Sequence, residues 1–168
     1  GRRTADVRVV ISEGDVLLGF IGDEKRMEPA AVSGVITEAE EIEKLCSGSS
    51  LYIVCTGDAF RTLPQGRYRS RRIGEFSAPG IAGECLYDIF DSDPYALIKL
   101  KEQFSAEFAK AVSLFESGDF TAARTRFMDI VKYAPDDGAA RNYLYLAEHN
   151  INSGRRRLTY RIYDGSEA

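Results

Sequence analysis

Residues 16–43 read VLLGFIGDEKRMEPAAVSGVITEAEEIE, and the hydrophobic period changes once within them. Val16 to Ile21 is an apolar run of strand character. Gly22 to Arg26 is a charged turn, the tip of a hairpin. Pro29 keeps Glu28 to Ala30 out of a helix, because proline disfavours the helical region for the residue before it. From Ser33 onward Ile36, Ala39, Ile42 and Leu45 recur every three residues, one apolar stripe of a helix reaching Cys46. Thr37 with Glu40 fits a capping box, and Ser33 is the alternative cap. Glu38, Glu40, Glu41 and Glu43 occupy the other face. Such carboxylates either hold a divalent cation or form a solvated face, and a charge run on a helix ordinarily does the latter. Strand, turn, extended passage and covering helix together predict an α+β chain.

On the N-terminal side, Val7 to Ile11 is a β-branched run, separated from Val16 by the turn residues Ser12 to Asp15, so the two runs read as a hairpin. On the C-terminal side, Leu51 to Cys55 is a buried strand. Thr56 caps a short helix, Asp58 to Leu63, which Pro64 and Gly66 close. Gly66 to Ser77 is extended, with Arg67, Arg69 and Arg71 on one face. Tyr68 and Phe76 interleave with them, which suits a phosphate or nucleic-acid stripe; an edge strand guarded by charge suits the same residues. The net charge of −4 favours the second reading and gives no general attraction to nucleic acid or anionic membrane. Gly83 to Phe90, with Cys85, Tyr87 and Ile89 alternating, is a further strand.

The totals bound the function classes. The 168 residues, 44% hydrophobic and 29% charged, suffice for one ordinary domain with an appendage. No apolar run approaches a membrane span and no signal peptide is visible; a chain opening on Gly1 reads as a segment of a longer protein. Cys46, Cys55 and Cys85 have neither metal-ligand nor redox spacing and read as reduced thiols of a cytosolic domain. His149 is the one histidine and has no nucleophile beside it in sequence. Hydrolase and metalloenzyme chemistry therefore have no constellation to stand on.

The stretch resembles, without a gap, the second half of the class III nucleotide cyclase catalytic domain. The frame is kept by Gly19, Ile21, Gly22, Arg26, Glu28, Val32, Ile36, Ala39, Ile42 and Glu43, with Gly14 at a matching turn. The resemblance extends through the strand at residues 51–55 to the closing strand and ends near Asp91 to Pro94. It implies half a cyclase sheet, an arm at residues 22–26 that touches a partner subunit, and work in pairs. It also implies that the base-contacting position falls on Ala30, the ribose-orienting asparagine on Thr37, and the triphosphate-holding arginine on Glu41. Cyclisation builds negative charge on the phosphates, so the site must offer cations and directed donors. Glu41 inverts that sign, Thr37 lacks an amide's paired donor and acceptor, and Ala30 has no polar group. No catalytic, cofactor-binding or metal-binding residue follows for this chain. An active cyclase would instead need Mg or Mn with ATP or GTP, its metal-binding half lying in another segment or a partner.

Residues 95–152 are helical. Tyr95 to Glu116 is one long helical segment, and Gly118 and Asp119 turn into a second helix that ends at Pro135. Gly138 to Ile151 is a third, with Ala140, Tyr143, Leu144 and Ala147 on its inner face. Ala111, Leu114, Gly118, Phe120, Ala123, Phe127, Ile130 and Pro135 resemble one tetratricopeptide repeat in register. A lone repeat makes no solenoid, which implies a helical cap that packs on its own chain, a partner subunit or a peptide. In the tail, Leu158, Tyr160 and Ile162 alternate as in a terminal strand. LTYRIYD also resembles the cyclase's first strand, which would give Asp164 a metal-binding role.

The expected organisation is residues 1–93 cyclase-like, 94–152 repeat-like and 153–168 a basic tail. The expected function is a non-catalytic, cyclase-derived regulatory or protein-interaction module of a cyclic-nucleotide signalling protein, cytoplasmic and either free or membrane-attached; a protein- or peptide-binding module centred on the repeat-like helices is the alternative. A homodimer or a protein partner is expected, with no nucleic acid, no membrane contact by this segment and weak or no nucleotide binding. Arg67, Arg69, Arg71, Phe120, Phe127 and Tyr143 are the candidate interaction residues.

Overall fold

A computed structural model describes residues 7–23, 26–47, 49–78, 81–154 and 156–161. The elements in chain order are β1 (Val9–Ile11), β2 (Leu17–Asp23), β3 (Arg26–Val32), α1 (Gly34–Cys46), β4 (Ile53–Thr56), α2 (Gly57–Thr62), β5 (Ser70–Ala78), β6 (Ile81–Ile89), α3 (Tyr95–Gln103), α4 (Ser105–Glu116), α5 (Phe120–Tyr133) and α6 (Gly138–Ser153). The fold is α+β: a mixed four-stranded sheet in the order β1-β4-β6-β5, a separate two-stranded hairpin β2-β3, and four C-terminal helices.

The strand pairing departs from the sequence expectation at one point. β1 does not form a hairpin with β2. It pairs parallel with β4, Val10 opposite Val54, while β2 pairs antiparallel with β3 from Leu17↔Val32 to Asp23↔Arg26. Only two residues connect Asp23 to Arg26, and so short a hairpin connection fixes which residues face each other. β1, by contrast, gains a buried neighbour in β4, whose Val54 and Cys55 are inside.

The helix starts follow local chemistry. Ser33 caps α1, its Oγ accepting from the Val35 N–H at 3.1 Å, so the Ser33 alternative holds rather than Thr37. Thr56 caps α2 by accepting from Ala59 N–H at 3.5 Å. Asp119 caps α5 and Asp137 caps α6. The long helix expected over residues 95–116 is two, divided at Phe104. The break lets α3 carry Lys101 inward, where it is 1% exposed.

One hydrophobic core joins the sheet, α1 and the helices. Ile42, Val54, Ile73 and Leu86 from the first part of the chain pack with Phe108, Phe115, Phe127, Ile130, Tyr143 and Leu146 from the second. Tyr143 is its centre. Its ring stacks on Phe127 at 4.8 Å between centroids and meets Phe115 edge-on at 5.0 Å. Its hydroxyl donates to the Ile73 carbonyl at 2.8 Å. A smaller cluster of Cys55, Ala59 and Ile89 lies under α2. Burial pushes the Cys46 thiol up to about 12 and the Cys55 thiol up to about 11, which makes both inert packing residues. No described helix is long and apolar enough to cross a membrane.

Candidate interaction surface

The hairpin β2-β3 departs most from ordinary folding economy. Paired residues of an antiparallel ladder share a face. One face therefore carries Leu18, Phe20 and Met27 with Ala31 and Pro29, and the other carries Leu17, Val32 and Ile21 with a polar end of Glu28, Asp23 and Arg26. Both faces are bare: Leu17 is 74% exposed, Leu18 76%, Phe20 70%, Ile21 65%, Met27 63% and Val32 63%. A hairpin alone is marginal in water, and large contiguous apolar surface marks a binding site. Its base is held where the Ser33 hydroxyl donates to the Asp15 carbonyl. Pro29 sits in β3 as edge strands allow. Residues 24 and 25, which the sequence assigns to a turn, lie outside the described residues.

Of the positions that the cyclase resemblance would make functional, two lie one turn apart on α1 and the third lies on the hairpin. Ala30 is in β3 opposite Gly19. Thr37 is exposed on α1. Glu41 is also on α1, its carboxylate paired with Lys44 at 2.6 Å. None of the three lines the cleft at the start of α1, a volume of about 400 Å³ bounded by Gly14, Val35, Thr56 and Ile81 and by the carboxylates of Glu13, Asp15, Glu38, Asp58 and Glu84. Burial, then the charges of Glu84 and Asp58, raise the Glu38 carboxyl above its usual range. Glu84 is engaged, accepting from the Gly57 N–H at 2.8 Å. A cleft of this sign repels a triphosphate. Among the described residues no group of His, Cys, Asp or Glu is arranged to hold a metal ion. Ile162 and Asp164 lie outside the described residues.

The three arginines of the 66–77 stretch reach three environments. Arg67 precedes β5, its guanidinium 5.8 Å from the Tyr68 ring centre. Arg69 bridges Asp91 at 3.0 Å and Glu102 at 2.7 Å at the surface. Arg71 is buried. It forms a bidentate pair with Asp137 through two 2.7 Å bonds, donates to Asp88 at 3.0 Å and lies 4.1 Å from the Phe108 ring centre. Lys101 joins Asp88 at 2.8 Å and Asp93 at 2.6 Å. Two cations and three carboxylates thus lie between β5, β6 and the helices. Burial works to raise the Asp137 carboxyl, but Arg71 outweighs it and holds the group below its usual range. Burial raises the Asp93 carboxyl, and Lys101 only partly offsets it. Phe120, Phe127 and Tyr143 are interior at 8%, 0% and 0% exposure, so their contacts are within the chain.

The sequence reading did not assemble this charged seam. Its one local signal is Lys101, which follows Leu97 and Ile98 on the apolar stripe of α3. The apolar hairpin was legible as a strand and turn, but not as a surface without cover. Compared with protein-family models, with curated proteins and with solved structures, the chain matches none.

Proposed function

We propose that this chain is a non-catalytic protein-interaction module of a cyclic-nucleotide signalling protein, built on a degenerate class III cyclase frame with a tetratricopeptide-like helical cap, and that it pairs with a second copy through the β2-β3 hairpin. The observation that carries the reading is the bare apolar hairpin. An arm offered to a second copy can meet itself across a two-fold axis. Leu18, Phe20 and Met27 then lie against their counterparts. Covering those three side chains on each of two copies is worth roughly 1.5–3 kcal/mol apiece. The sum, roughly 9–18 kcal/mol gross, competes with an association cost of similar size, about 4–15 kcal/mol, which makes the dimer concentration-dependent.

Sedimentation equilibrium across 5–500 μM checks this, taking those loadings as about two decades of concentration. The wild-type chain is expected to shift from monomer to dimer, and Phe20→Asp to remain monomeric with unchanged circular dichroism. A wild-type chain monomeric throughout would remove the pairing surface from the proposal.

The loss of catalysis rests on Glu41, Thr37 and Ala30 and on the acidic cleft beside α1. Calorimetric titration with ATP and GTP in the presence of manganese is expected to give no saturable heat. Saturable binding would overturn the non-catalytic reading and favour a nucleotide sensor or one part of a working cyclase.

A further inference from the structure

After α6 the chain doubles back. Gly154 ends the helix in the left-handed conformation, at φ 66°, and residues 156–161 return between β5 and the face of α6. The Tyr160 N–H donates to the Glu75 carbonyl at 2.7 Å, and Tyr160 makes one isolated parallel bridge with Phe76. Two asparagines on α6 hold the returning segment by its main chain. Asn150 donates through Nδ2 to the Arg157 carbonyl at 3.0 Å and accepts from the Arg157 N–H at 3.2 Å. Asn142 donates through Nδ2 to the Arg161 carbonyl at 2.5 Å. The Tyr160 side chain enters the core at 0% exposure, its ring 5.1 Å from that of Tyr143. Its hydroxyl is buried with no hydrogen-bond partner among the described residues.

We propose that the cleft between β5 and α6 is a peptide-binding site that residues 156–161 fill in cis, and that its preferred ligand is an extended segment of another protein carrying phenylalanine where this chain places Tyr160. Each element of recognition is present. Asparagine amides that bond main chain accept any extended sequence, and the sheet edge adds a strand-like bond, as in β-strand addition. The aromatic pocket supplies the one position that discriminates. Among the described residues the segment makes a single bridge rather than a ladder, which makes the occupant displaceable. The phenol is the weak point of the cis occupant, because a buried hydroxyl without a partner loses its bonds to water and gains none. Phenylalanine fills the same pocket without that loss, a gain on the order of tenfold. A second copy of this chain brings the same tyrosine and gains nothing over a tethered segment whose effective concentration is about millimolar. The occupant that wins is therefore a different chain.

The test uses the 168-residue chain with Tyr160→Ala, which empties the pocket, and two labelled hexapeptides, RRLTYR (residues 156–161) and RRLTFR, read by fluorescence anisotropy. Both are expected to bind the variant saturably, RRLTFR about tenfold more tightly. The wild-type chain is expected to bind RRLTFR at least about tenfold more weakly than the variant does, because its own segment competes. Asn150→Ala added to Tyr160→Ala should weaken both peptides. A folded Tyr160→Ala chain that binds neither peptide, or that prefers tyrosine, overturns the proposal. Hydrogen exchange on the wild-type chain gives an answer that does not depend on the variant's folding. The Tyr160 amide is expected to exchange by local opening, well before the amides of α6, and Tyr160→Phe to protect it about tenfold further. Exchange only together with the α6 amides makes the segment a permanent strand and overturns the proposal.

Discussion

Replacing Gly74 with alanine is expected to destabilise the chain by about 3–5 kcal/mol. Gly74 sits at a register shift of β5 with φ 150°, where a side chain is strained whatever space it has. Space is also lacking, because an added Cβ would lie 2.2 Å from the Tyr143 hydroxyl oxygen. That oxygen cannot retreat cheaply. Its ring is fixed between Phe127 and Phe115, and its proton is committed to the Ile73 carbonyl. Moving it sacrifices aromatic packing and a buried hydrogen bond together. For a chain of this size the loss corresponds to roughly 8–15 °C in Tm, readable by thermal and urea unfolding. Tyr143→Phe removes the obstructing oxygen, so Gly74→Ala should cost about 1–2 kcal/mol less in that background. Additive effects in the two backgrounds would show that the glycine and the tyrosine are not keyed to each other.

This junction also shows why part of the fold was legible and part was not. The Ile36–Leu45 stripe announced α1 because a helix's buried face recurs within its own sequence. Pro29 and the β-branched runs likewise announced extended chain. Tyr143 was placed on the inner face of α6 by its neighbours Ala140 and Ala147, yet nothing nearby names Gly74, 69 residues earlier, as the gap that admits its hydroxyl. Strand partners are lost for the same reason. Val7–Ile11 next to Val16–Ile21 looks like a hairpin by proximity, whereas the parallel partner of β1 is β4, beyond α1. The arginine stripe failed by a related route. Alternation put Arg67, Arg69 and Arg71 on one face, but Arg67 lies before β5 begins, and the acids that draw Arg71 inward come from β6 and the start of α6. For the candidate surface, Leu18, Phe20 and Met27 read as strand residues. Whether a strand's apolar face is covered depends on the rest of the sheet, and here the sheet forms elsewhere.

Asp137→Asn is expected to cost about 3–5 kcal/mol, the usual penalty for removing one partner of a buried pair. Asparagine keeps a side-chain oxygen at the α6 cap, where Asp137 accepts from the Ala140 N–H at 3.2 Å, and asparagine caps as well as aspartate. The substitution therefore isolates the charge. What remains is a guanidinium, 8% exposed as a residue, that must be balanced by Asp88 alone, and Asp88 already serves Lys101. The same seam sets the sign of the acid response. The Asp137 carboxyl lies below its ordinary value of 3.8 in the folded chain, so on acidification the unfolded chain takes up that proton first. Stability from this group is complete above 3.8 and is lost as pH falls through the folded value. Asp93 acts in the opposite sense. Its folded carboxyl is raised above 3.8, so its contribution is complete at lower pH and is lost as pH rises through the folded value. Urea unfolding from pH 2.5 to 7, a window bracketing the ordinary carboxylate range, is expected to show a shallower acid limb for Asp137→Asn and a steeper one for Asp93→Asn. Equal slopes in wild type and Asp137→Asn would mean that Arg71 does not hold the Asp137 charge. Since Arg71 and Asp88 come from the sheet and Asp137 opens α6, the loss of that charge loosens the attachment of the helices to the sheet. Asp137→Asn should then also expose the amides of α6 to exchange ahead of those of β6, whose strand keeps its ladder on both sides.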